Sequence, residues 1–141
     1  MTRTYWVIAS LLILAGPHHA AAQDYSGSWT GTVTEATSDC QNIRKAAPGD
    51  YRLTILQEGD ALTIMENTGR RPYKGYIEAE NAGRVQVRGT YADQGGYVTE
   101  DVVLEFSGGR AGKASSVWRW SDGWHQCGGS FRFNLKKDPA P

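Results

Sequence analysis

The stretch Gly27-Ser28-Trp29-Thr30-Gly31-Thr32-Val33-Thr34 decides the fold. Its β-branched and aromatic residues fit a pleated surface, and no helical spacing of apolar residues competes with that reading. Trp29, Gly31, Val33 and Glu35 share one face of such a strand, and Ser28, Thr30, Thr32 and Thr34 share the other. The hydroxyl-rich face suits solvent. The Trp29 face therefore turns inward.

Downstream, short apolar runs alternate with Gly-, Asn- and Asp-containing turns. The pattern predicts eight strands, at about 28–36, 51–57, 61–65, 73–80, 84–91, 97–106, 115–121 and 129–136. Connections this short join antiparallel neighbours and give an up-and-down meander. The two cysteines say whether the meander closes. Cys40 lies just past the first strand and Cys127 just before the last. If those strands pair antiparallel, the two residues become neighbours, and a disulfide needs Cα atoms within about 7 Å. The sequence thus predicts an all-β, eight-stranded antiparallel up-and-down barrel closed by a first-to-last-strand disulfide. Closure also removes the sheet edges that invite aggregation. The alternative is a two-sheet sandwich stapled between its sheets.

Upstream of the first strand, Arg3, the apolar run at residues 6–14 and the small residues Ala20-Ala21-Ala22 read as a cleavable signal peptide. The run is far shorter than the ~20 residues of a membrane-spanning helix. The expected organisation is a leader at 1–22 and one barrel domain at 23–141, in the periplasm or secreted, where an even cysteine pair forms a disulfide. The chain carries 15 basic and 15 acidic residues, and only Arg3 lies in the leader, leaving 14 against 15. A chain this close to neutral has no field to draw nucleic acid or an anionic membrane. His125 is the one histidine beyond the leader, so no metal or cofactor is expected.

Alternation assigns Leu53, Ile55, Leu62, Ile64, Ile77, Val85, Val87, Tyr91, Val98, Val102, Leu104, Phe106, Trp118, Trp120, Phe131, Phe133 and Leu135 to the interior. It also turns Glu35 and Glu100 inward, toward the end away from Trp29. An unpaired charge in a dry core is costly, so inward carboxylates imply a wet mouth, a bulge that flips the face, or an arginine partner. The same end gathers Arg44, Lys45, Arg70, Arg71, Asp93, Asp122, Trp124 and His125.

Gly27-Ser28-Trp29, opening a strand behind a leader, resembles the lipocalin and wider calycin pattern. The resemblance implies that Trp29 packs at the closed end beneath a basic residue from near the last strand. Arg132 is the strand-eight candidate but alternates outward, and Lys136 or Lys137 are the substitutes. The Thr-Asp-Tyr motif of lipocalins is not evident and no helix follows the last strand, so the likeness is to a compact lipocalin-like or avidin-like barrel.

Three functions follow as expectations. A binding barrel would take a small, partly apolar ligand at its mouth, with Trp118, Trp120 and Tyr91 stacking on it and Glu100 with Arg70 or Arg71 orienting its polar end. A protein-binding barrel, of the lysozyme- or protease-inhibitor type in the cell envelope, would use the mouth loops with Trp124 and His125 as contacts. An enzyme would need Glu35 and Glu100 as an acid/base pair across the mouth. No nucleophile triad or phosphate-loop spacing is visible, and a non-enzymatic binder is the expectation.

Overall fold

The computed structural model of the protein describes residues 23–41 and 49–140. The predicted leader, and Arg44 and Lys45 of the first loop, lie outside the described residues. Eight strands follow one another: β1 (Gly27–Ser38), β2 (Asp50–Glu58), β3 (Ala61–Glu66), β4 (Arg71–Glu78), β5 (Asn81–Asp93), β6 (Gly96–Ser107), β7 (Ala111–Ser121) and β8 (Gln126–Lys137). Each pairs with the next, and β1 pairs antiparallel with β8, so the sheet closes into a barrel. A sandwich would leave that seam open. Cys40 and Cys127 form the expected disulfide with Cα atoms 5.1 Å apart, close to the seam at its mouth end.

Parity places the predicted interior residues inside. Trp29, Ile55, Leu62, Ile64, Val85, Val87, Leu104 and Leu135 are all buried. Strand ends depart from expectation in an informative way. β3 reaches Glu66, one residue further than the apolar pattern, and β4 begins at Arg71 and runs through Pro72. The β5–β6 connection shrinks to Gln94 and Gly95, both at positive φ (47° and 80°), as a tight hairpin turn whose twist matches its strands requires.

Glu35 is the residue that alternation misplaces. The β1–β8 register shifts between Val33 and Glu35, leaving Thr34 as the extra residue of a bulge. Beyond the bulge, alternation resumes with opposite parity. Glu35 is therefore exposed on the outer wall, where it meets Arg132 at 3.3 Å. The inward Glu35 is corrected to a surface ion pair.

Trp29 closes one end. Its indole N–H donates to the Tyr25 carbonyl at 2.8 Å. Tyr25 stacks on Phe106 at 4.0 Å, and its hydroxyl donates to the Ala82 carbonyl at 2.8 Å. The segment before β1 is thus drawn across the barrel base. Lys137, rather than Arg132, sets its ammonium 5.8 Å from the Trp29 ring centre, a cation–π arrangement.

Candidate functional site

Above this plug the interior is not filled. A cavity of about 70 Å³ runs toward the other end, well below the roughly 300 Å³ and more of drug-sized ligand sites. Its deep walls are apolar, from Leu53, Ile64, Val87, Val102, Leu104 and Leu135, and Gly31 and Ala114 leave the space. Toward the mouth the lining becomes polar, with Tyr51, Glu66, Arg71, Tyr73 and Glu100. Small residues on β1 and β7 make the hollow. The β2, β3, β4 and β6 strands give it a polar end.

Glu100 is buried and hydrogen-bonded by two phenols. Tyr73 donates to its Oε2 at 2.7 Å and Tyr91 donates to the same oxygen at 2.9 Å. The register explains how. Tyr73 lies opposite Gly89, Gly89 opposite Glu100, Glu100 opposite Trp118, and Trp118 opposite Gly129. Two glycines, Gly89 and Gly129, interrupt the large side chains along this belt. A methyl group on Gly89 would lie 2.7 Å from the Tyr73 ring, so only glycine lets that ring lean across β5 to Glu100. At the far end of the belt, a methyl on Gly129 would meet the Trp118 ring at 2.7 Å. Burial, and then the Glu100 charge, push both phenols well above the ordinary tyrosine range. They remain neutral donors.

The other charges at the mouth hold one another. Glu66 is buried, yet its oxygens accept the backbone N–H groups of Thr68 at 2.8 Å and Gly69 at 2.7 Å. It organises the β3–β4 turn. Arg71 lies 4.6 Å from the centre of the Tyr91 ring and 4.0 Å from the Asp93 carboxylate. Burial pulls its pKa down, but the neighbouring Tyr91, Tyr73, Asp93 and Glu66 together outweigh that and leave it raised. Tyr51, across the opening, is raised chiefly by burial.

Of the candidate residues, Glu100, Tyr91 and Arg71 are brought together at the mouth, and the remaining candidates scatter. Trp120 is buried, but its indole N–H donates to the Asp93 carbonyl at 2.8 Å. It anchors the β5–β6 turn and does not line the cavity. Trp118 stacks on Phe131 with centroids 6.2 Å apart, and it is Phe131 that lines the cavity. The Trp118 Nε1 and the Oγ of Ser116 are buried without a hydrogen-bond partner. Arg70 is exposed at the turn with φ 53°, so only Arg71 of the pair reaches the mouth. Trp124 is 91% exposed. His125 beside it is held by Asp122, which accepts from the Trp124 and His125 N–H groups at 2.8 and 2.7 Å. Those bonds hold the Asp122 carboxyl down at about 2. Neither Trp124 nor His125 lines the cavity.

Glu35 and Glu100 stand on opposite sides of the wall and cannot act as a pair. Among the described residues, the one grouping with metal-ligand chemistry is Asp39 with Cys40 and Cys127. Both sulfurs are bound to each other, and Asp39 Oδ1 accepts from the Gly128 N–H at 2.6 Å. Tyr51, Glu66 and Tyr73 were not anticipated. Strand parity carried the signal: each has the parity of inward residues on its own strand, just beyond where the apolar pattern stops.

The disulfide fits an oxidising environment rather than the cytosol. No helix among the described residues is long and apolar enough to cross a membrane. Compared with family models and with curated protein sequences, the chain matches none.

Proposed function

We propose that this is an exported, non-catalytic binding barrel that takes a slim, partly apolar ligand into the cavity between Trp29 and the mouth. One observation carries the reading: an apolar hollow ends at a buried carboxylate that two tyrosines hold in place. A buried charge is kept at a cost to stability unless it has a use. The volume restricts the ligand to a short, unbranched alkyl chain, narrower than the cargo of a wide-mouthed barrel. Lys137 over Trp29 supports the calycin-like likeness, since a basic residue across the first-strand tryptophan is what that pattern implies. The leader and the disulfide support export.

The test uses 1-hexanol as the probe and the intrinsic tryptophan fluorescence as the signal. A saturable change is expected in the native protein, and its loss in Ala114→Leu, which fills the hollow from β7. A native protein without a saturable response, or an Ala114→Leu variant that binds as the native protein does, would count against the proposal.

A second reading rests on Trp124. An indole this exposed, on a loop braced by three contacts to Asp122, is the kind of anchor that protein interfaces use. Tyr97, which lies opposite Ser121 where that loop begins, is also exposed. On this reading Trp124→Ala loses a partner captured from envelope extract while 1-hexanol binding is unchanged. An unchanged set of captured proteins defeats it.

A further inference from the structure

Glu100 differs from Glu66, the other buried carboxylate at the mouth. Glu66 has both oxygens occupied by the turn N–H groups, while Arg71 lies over the Tyr91 ring with the Asp93 carboxylate 4.0 Å away. Glu100 receives both of its hydrogen bonds on Oε2. Its Oε1 has no hydrogen-bond partner among the described residues, and the residue, only 5% exposed, lines the cavity. A carboxylate oxygen offers about two lone-pair sites and accepts only from donors. No lysine or arginine pairs with Glu100 among the described residues. The cavity thus presents a carboxylate oxygen with room for a donor, at the polar end it shares with Arg71.

Aromatic walls add to the same preference. Tyr73 and Tyr51 line the cavity at this polar end, and Tyr91, with its ring centroid 6.2 Å from that of Tyr73, carries Arg71 over its own ring. Ring faces attract cations, and a carboxylate among aromatic rings combines that attraction with a charge-assisted hydrogen bond. An anionic ligand would meet two buried carboxylates, Glu66 and Glu100, against the single Arg71 guanidinium at the same polar end. A neutral alcohol would gain the hydrogen bond without the ionic part.

We infer that the ligand of this cavity is a small organic amine in its ammonium form, its apolar tail lying against Val87, Val102 and Leu104 and its N–H groups donating to Glu100 Oε1. This deepens the cavity reading above and rests on it. The tail enters first, because the aliphatic walls lie deeper than Glu100.

Three probes of one chain length separate the possibilities at pH 7: n-hexylamine, 1-hexanol and hexanoate, each titrated against intrinsic tryptophan fluorescence and confirmed by calorimetry. The amine is expected to bind about tenfold or more tighter than the alcohol, as a charge-assisted bond implies, with hexanoate weakest. Glu100→Gln should bring the amine within about twofold of the alcohol. If the alcohol binds and the amine is no tighter, or if hexanoate matches the amine, the inference fails while the cavity reading survives. If no probe binds, both fail. The ranking in the native protein decides the matter even if Glu100→Gln does not fold.

Discussion

The Tyr73 hydroxyl reaches over Gly89, which has no side chain to block it, and donates to Glu100 Oε2 at 2.7 Å. Three neighbouring strands thus contribute a donor, a gap and an acceptor to one belt. The gap matters as much as the bond. Replacing Gly89 with alanine would place a methyl 2.7 Å from the Tyr73 ring and 2.8 Å from the Pro72 carbonyl, and backbone cannot yield as a side chain can.

Tyr73→Phe deletes one of the two donors to a buried carboxylate and leaves the ring in place. Loss of such a bond costs about 1–3 kcal/mol, read as a lower urea midpoint with an unchanged slope. Gly89→Ala should cost at least as much and should also weaken binding in the cavity, because it displaces the same ring. Stabilities equal to that of the native protein would show that the belt does not hold Glu100.

Alkaline titration should divide the tyrosines. Burial and the Glu100 charge raise Tyr73 and Tyr91 in the folded state, while the unfolded chain ionises near 10. The folded state then holds more protons than the unfolded state above that pH, so stability falls as pH rises. Below about pH 10 the contribution is constant. Phenolate absorbance should therefore rise in two stages, the second coinciding with loss of the β-sheet signal. A single stage complete before unfolding would contradict the buried, neutral assignment.

Reduction of Cys40–Cys127 should loosen the seam. The bridge closes a separation of 87 residues, for which chain-entropy reasoning gives on the order of 4–5 kcal/mol, an upper figure. The double variant Cys40→Ser/Cys127→Ser should unfold at lower denaturant, with faster amide exchange at the mouth ends of β1 and β8. The base around Trp29 should exchange as before, because Tyr25, Phe106 and Lys137 still seal it.

Acid should release the β7–β8 loop before it unfolds the barrel. Hydrogen bonds from the His125 and Trp124 backbone, then the His125 ring, hold Asp122 below the usual carboxylate range, at about 2. The loop order it provides is complete above about pH 4, the ordinary aspartate value, and is lost as pH falls through about 2. Trp124 emission should change over that interval while the sheet signal persists, and Asp122→Asn should show the changed loop at neutral pH. Coincident loop and barrel transitions would exclude a local role for Asp122.

Period-two alternation and turn chemistry were enough to reach the eight strands, their order and the apolar part of the interior, since each is a local consequence of residue type along a strand. The spacing of Cys40 and Cys127 carried closure, because a disulfide forces two strand ends into contact. Three things required the tertiary structure. The bulge at Thr34 reverses parity, and it is set by pairing with β8 across the seam, so nothing near Glu35 in the chain announces that it faces solvent. Trp118 and Trp120 share an inward face, but what each touches depends on partners distant in the chain: Asp93 for one and Phe131 for the other. The site itself arises from register, which brings Tyr73, Gly89 and Glu100 abreast, and register is a relation between strands that no single strand contains.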